Sequence, residues 1–134
     1  MIEQESRAGE GISSRNSGVI HAGMYYPKES LKTKFCIEGN KLLYEYAELK
    51  NISHKKTGKF IIASHENELA NLNKIFLQGK LNGVDLREST LEEVKKKEPE
   101  LDIAGALFSP ETGIIDVPEL SLIHISEPTR PLYI

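Results

Sequence analysis

The sequence predicts an α/β fold, and three observations carry that prediction. Apolar residues recur at helical spacing over residues 31–50 and 66–82, a short β-rich run at Lys59–Ser64 separates them, and Ala106–Val117 reads as two strands around a Pro-Gly turn. Strands alternating with helices define that class. Three or four strands and three helices are too few to close a sheet with both faces covered, so the chain reads as a fragment of a larger fold.

Each element follows from its residues. Met1-Ile2-Glu3-Gln4-Glu5 reads as the end of a strand. Residues 6–29 are rich in glycine and serine and reach Pro27, which predicts a long loop, and loops of that length in compact domains are usually functional. Ser30 stands at an N-cap position, and Leu31, Phe35, Leu42, Tyr46 and Leu49, widened by Leu43 and Ala47, form an amphipathic stripe for a helix over 31–50. Gly39-Asn40 near its middle is a weak point, since an interior glycine costs about 1 kcal/mol.

Gly58 then leads into the strand at Lys59–Ser64. Leu69, Leu72, Phe76 and Leu81 give a second helix its inward face over 66–82, and Asn82-Gly83 stops it. Thr90-Leu91-Glu92-Glu93 is a capping box that starts a short helix ending before Pro99. The lysine run Lys95–Lys97 is a solvated face of that helix. Ala106–Ser109, Pro110–Gly113 and Ile114–Val117 predict a β-hairpin. Pro128 and Pro131 forbid a helix around them, and no period links residues 121–134 to what precedes them, so 121–134 reads as a non-native tail resembling translated adapter sequence.

Composition removes several function classes. The 134 residues carry 17 basic and 20 acidic side chains, a net charge of -3, which offers no basic field to nucleic acid. Hydrophobic residues at 39% and charged residues at 28% describe a globular chain. No apolar run approaches the roughly 20 residues that span a bilayer, and the acidic N-terminus is no secretory signal. Together with the single cysteine, Cys36, which excludes an internal disulfide, these features predict a cytoplasmic protein. His21, His54, His65 and His124 lie far apart without ligand spacing, so no metal site is expected. Gly9-Glu10-Gly11 begins like a dinucleotide fingerprint, but Ser14 takes the place of the third glycine and no helical pattern follows.

The informative stretch is Ser13–Tyr26. Its small residues let backbone amides approach an anion or a flat ring, Arg15 supplies charge, and His21 stands between small neighbours close in sequence. On composition alone, these residues read first as a polar loop in which Arg15 and His21 are simply solvated.

The stretch Ser14-Arg15-Asn16-Ser17-Gly18-Val19-Ile20-His21-Ala22-Gly23-Met24-Tyr25-Tyr26-Pro27 resembles the L-2-hydroxyglutarate oxidase/dehydrogenase family, FAD-dependent oxidoreductases of the D-amino-acid-oxidase type. The likeness continues through Ser30-Leu31-Lys32, Cys36–Tyr44, Gly58–Ala63, Glu98-Pro99 and Pro110–Asp116, covering residues 1–120 but only about a third of a family member, whose size spans two domains in the ordinary sense. The resemblance implies a partial FAD-binding, Rossmann-type domain over 1–57, without its GxGxxG unit, and the first part of a mixed-sheet substrate domain over 58–120. It implies FAD contacts from Glu3, at the adenosine ribose, and from Ser14, Arg15, Asn16, Ser17, Gly18, His21 and Gly23 along the flavin. His21 is the candidate catalytic base or flavin-tuning group, because imidazole changes protonation near neutral pH.

The implied reaction of the longer protein is oxidation of an L-2-hydroxy acid, most specifically L-2-hydroxyglutarate to 2-oxoglutarate. Oxygen or a quinone would accept the electrons, and the protein would associate peripherally with the inner membrane. Much of the substrate machinery would lie beyond Leu120, and the chain alone would be inactive. Two alternatives stay open: another FAD enzyme of the same group, acting on glycerol 3-phosphate or an amino acid, and a non-catalytic α/β interaction domain.

Overall fold

A computed structural model describes residue 6 and residues 10–126. After a 3-10 turn at Ile12–Ser14 the chain runs β1 (Val19–Ile20), α1 (Leu31–Lys50), β2 (His54–Lys55) and β3 (Lys59–Ala63). A 3-10 turn at Glu66–Glu68 opens α2 (Leu69–Leu81), and β4 (Arg87–Ser89), α3 (Leu91–Lys97), β5 (Gly105–Ser109), β6 (Gly113–Ile115) and α4 (Val117–Ser126) complete the order. The predicted loop over 6–29 is therefore interrupted by the 3-10 turn and by β1. The mixed α/β character is as the sequence predicts.

Two small antiparallel sheets organise these strands, in the orders β1-β6-β2 and β3-β5-β4. In the first, Val19 faces Ile114 and Ile20 faces Gly113, while His54 faces Ile115 on the other side. This sheet joins two strands from residues 1–57 to one from residues 58–120. In the second, Lys59–Ala63 pairs along the whole of β5, with Phe60 opposite Phe108 and Ala63 opposite Gly105.

The predicted hairpin is corrected here: β5 and β6 do not pair with each other but belong to different sheets. Between them the chain turns through Pro110–Thr112, where the buried hydroxyls of Ser109 and Thr112 lie 3.0 Å apart. The Gly58 amide donates to the Thr112 carbonyl at 2.8 Å, tying this turn to the start of β3. A four-residue spacing allows a tight turn, but partners offered by β1 and β2 take β6 away from β5.

The apolar run in β3 is continuous because both of its faces are covered. Ile61 and Ala63 meet Leu72, Ile75 and Phe76 of α2, with Leu107 of β5 in the same layer. Phe60 and Ile62 meet Val94 of α3 together with Leu101, Ile103 and Ala106. Val94 is fully buried, and the helix that carries it starts at the predicted capping box, with Thr90 Oγ1 accepting from the Glu93 amide and Glu93 reaching back to the Thr90 amide.

The helices differ from expectation in which face they bury. α1 is capped by Ser30, whose side chain accepts from the Thr33 amide at 3.1 Å, and it runs unbroken through Gly39-Asn40. Its buried residues are Thr33, Asn40 and Ala47, one every seven positions, whereas Leu31, Phe35, Leu42 and Leu49 are all exposed, Leu49 at 74%. In α2, Leu72 is buried and Phe76 packs against the core as predicted, but Leu69 and Leu81 are exposed. Residues 121–126 also depart from the predicted tail, because they continue α4. Asp116 starts that helix by accepting from the Glu119 amide, and Pro118 is tolerated in its first turn. Glu119 in turn accepts from the Ser53 amide at 2.6 Å, and the His124 ring lies 5.6 Å from that of Tyr46. Pro128 and Pro131 lie outside the described residues. No helix among the described residues is long and apolar enough to cross a membrane.

Candidate functional site

The segment from Glu10 to Tyr26 is built from local hydrogen bonds followed by one short strand. Ser14 Oγ donates to the Glu10 and Gly11 carbonyls at 3.0 and 2.9 Å, which closes the 3-10 turn. Asn16 folds back in the same way, its Nδ2 donating to the Ser13 carbonyl while its Oδ1 accepts from the Gly18 amide at 2.8 Å. Ser14, Arg15, Asn16 and Ser17 are all exposed, so this stretch presents hydroxyls, an amide and a guanidinium to the surroundings.

Gly18 (φ +63°) then turns the chain into β1, where a Cβ would lie 2.9 Å from the Ile115 carbonyl oxygen. Along β1 and the residues after it, Ile20 and Ala22 are buried and His21 between them is exposed, as alternation in an extended chain requires. Gly23 (φ +87°) is buried, and a Cβ there would lie 3.0 Å from Ile37 Cγ1 and 3.2 Å from Cys36 Cβ. Both glycines thus answer to the fold itself: Gly18 to β6 and Gly23 to α1.

The carbonyls of this segment are held from outside it. Asn40 Nδ2, from the middle of α1, donates to the His21 and Glu111 carbonyls at 3.1 and 2.9 Å. Asn82 Nδ2, at the end of α2, donates to the Gly23 and Tyr26 carbonyls at 3.0 and 2.9 Å. In the sequence Asn40 reads as a weak point in a helix and Asn82 as part of a stop signal. An amide side chain at an interior helical position, where it is a poor helix former, was the available clue to Asn40.

Around Glu111 sits a second polar group. Tyr44 Oη donates to the Glu111 carbonyl at 3.3 Å, Lys56 pairs with the Glu111 carboxylate at 2.6 Å, and the Lys56 ammonium lies 5.2 Å from the Tyr44 ring centre. Burial, followed by the Glu111 charge, raises the Tyr44 phenol above its ordinary pKa. Behind Ala22 an open cavity of about 340 Å³ is walled by Ile37, Asn40, Lys41, Val84, Asp85 and Glu111, among others; His21 is not part of that wall.

The structure therefore brings Ser14–Ser17 together as one exposed turn and leaves His21 exposed farther along the same segment. Glu3 lies outside the described residues. Exposed hydroxyl, amide and guanidinium groups of this kind could hold a polar, anionic chain such as a phosphate–ribityl group. No strand–glycine turn–helix unit of the kind that cradles a pyrophosphate occurs among the described residues.

Comparison with known proteins gives a consistent result. The chain is 42% identical over 123 residues to the mitochondrial L-2-hydroxyglutarate dehydrogenase of Homo sapiens, covering 91% of this chain and 27% of that protein. It is 43% identical over 129 residues to the enzyme of the same name from Arabidopsis thaliana, covering 94% of this chain and 27% of that protein. The chain spans about a quarter of the length of these relatives. Among solved structures, L-alpha-glycerophosphate oxidase from Mycoplasma pneumoniae with FAD bound superposes with a TM-score of 0.72 at 26% identity, over 84% of this chain and 32% of that one. Glycine oxidase from Geobacillus kaustophilus gives a TM-score of 0.72 at 24% identity, over 84% and 33% of the two chains, and shares the fold. The profile of the FAD dependent oxidoreductase (DAO) family matches residues 1–122, and the chain belongs to that family.

Proposed function

We propose that this chain is the part of an L-2-hydroxy-acid oxidoreductase that lines the flavin, and that the whole protein converts L-2-hydroxyglutarate to 2-oxoglutarate. The observation that carries this reading is the identity of about 40% with L-2-hydroxyglutarate dehydrogenases across nine-tenths of the chain. In this reading residues 1–57 supply the flavin side and residues 58–120 begin the substrate domain. Arg15, Ser17 and the second amide hydrogen of Asn16 hold the phosphate–ribityl chain, Ser14 shapes the turn that presents them, Gly18 and Gly23 give the segment its two turns, and Glu3 accepts from the adenosine ribose. Bound FAD supplies the two-electron acceptor for the hydride leaving C2 of the substrate. His21 takes the hydroxyl proton, for which an exposed imidazole between buried Ile20 and Ala22 is suitably presented. Oxygen or a quinone takes the electrons onward, the latter at an inner-membrane surface.

Anaerobic stopped-flow reduction of the whole protein tests this assignment, with L-2-hydroxyglutarate, L-lactate and glycerol 3-phosphate compared. L-2-hydroxyglutarate should reduce the flavin fastest, and His21→Ala should slow reduction by roughly two to four orders of magnitude with flavin still bound. Reduction by glycerol 3-phosphate alone would favour the second reading, which the likeness to L-alpha-glycerophosphate oxidase supports.

A further inference from the structure

We infer that Asn40 and Asn82 are positioning residues that set the backbone carrying His21, an inference that rests on the reading of that segment as the flavin side. β1 ends at Ile20, so the carbonyls of His21, Gly23 and Tyr26 have no strand ladder to satisfy them. The backbones of α1 and α2 are engaged within their own helices. Side-chain amides fill the gap: each carries two N–H groups on one nitrogen, and each divides them between two carbonyls. Carbonyls only accept, so the nitrogen of each amide must face them, which fixes both orientations. The Asn82 oxygen is held as well, accepting from Gln78 Nε2 at 3.0 Å.

Asn40 is 6% exposed in mid-helix, beside Gly39, a pair of residues with no value for helix stability. Its burial is explained by what it holds: the His21 carbonyl on one side and the β5–β6 turn, through Glu111, on the other. Between the clamped carbonyls lie Gly23 in its left-handed conformation and Met24, which is 2% exposed. The His21 side chain is exposed and turns about its own bonds, so what these two amides set is the backbone position and the Cα–Cβ direction from which the imidazole starts. Misplacement of a reacting group by about 1 Å costs up to a hundredfold in rate.

The test uses Asn40→Ala, Asn82→Ala and His21→Ala in the whole flavin-loaded protein, with Leu72→Ala in the sheet core as a control for general destabilisation. Each asparagine variant should slow flavin reduction by about tenfold to a hundredfold at nearly constant KM, and shift the visible flavin spectrum. Leu72→Ala should lower the melting temperature and move neither quantity. If Asn40→Ala, being buried, fails to fold, the half-buried Asn82→Ala carries the test alone. His21→Ala slowing reduction while the asparagine variants match wild type would overturn the clamp and leave the flavin-side reading standing. Wild-type rates in all three would overturn both.

Discussion

Gly23 shows how one residue is fixed by the fold before any ligand is considered. Its φ of +87° lies where a side chain is strained, and α1 stands within 3.2 Å of the place a Cβ would occupy. Gly23→Ala should therefore destabilise the isolated chain by about 1–3 kcal/mol, read by urea denaturation without flavin. A silent Gly23→Ala would mean that α1 does not seat against this turn. Two ionisable groups give pH signatures. Hydrogen bonds from the Arg87 side chain and then the Thr90 amide lower the Glu93 carboxyl, so its contribution is present above the ordinary carboxylate range and is lost as pH falls through the lowered value. The Tyr44 phenol is raised, so its contribution is present below the ordinary tyrosine range and is lost as pH rises through the raised value. Melting temperature against pH should fall at both ends; Glu93→Gln should flatten the acid limb and Tyr44→Phe the alkaline one.

The elements separate local signals, which the sequence states outright, from facing, which it does not. Ser30, Thr90 and Asn82-Gly83 mark helix ends where the structure has them, because a cap is a contact between residues a few positions apart. Thr90→Ala should cost about 1 kcal/mol, the usual value of a lost N-cap. The apolar stripe of α1 is equally plain in sequence, yet of its members only Ala47 is buried, Leu31, Phe35, Leu42 and Leu49 are exposed, and Thr33 and Asn40 are buried instead. Periodicity shows that a helix has an apolar face and leaves open what covers it. Leu42→Lys should thus change the stability of this chain by no more than about 0.5 kcal/mol, whereas Leu72→Ala in α2 should cost about 2–5 kcal/mol. A large loss from Leu42→Lys would show that the stripe is buried in solution. The same limit applies to β5 and β6: each strand is legible, but their separation into two sheets depends on partners far along the chain.

For the whole molecule, family membership is shown, and the activity proposed above rests on the identity with L-2-hydroxyglutarate dehydrogenases. Among the described residues the chain has no glycine-rich strand–turn–helix unit of the kind that cradles a pyrophosphate. Titrating it with FAD should leave flavin fluorescence unchanged. A low-micromolar isotherm would show that the turn at Ser14–Ser17 binds the cofactor unaided.

By itself the sequence determined the α/β class, the helix caps, the β3 strand and, through residues 14–27, the family. All of these are written in neighbouring residues or in one contiguous motif, where spacing along the chain and spacing in space nearly coincide. Tertiary structure alone decided that β6 leaves β5 for β1 and β2, that α1 buries Thr33 and Asn40 while four of its leucine and phenylalanine side chains stay exposed, and that residues 121–126 extend a helix. It also decided that Asn40 and Asn82 meet the His21–Tyr26 carbonyls, across separations in sequence of 19, 59 and 56 residues. The physical reason is that an unpaired backbone carbonyl accepts whichever donor packing brings to it, and the sequence does not state which distant donor will arrive.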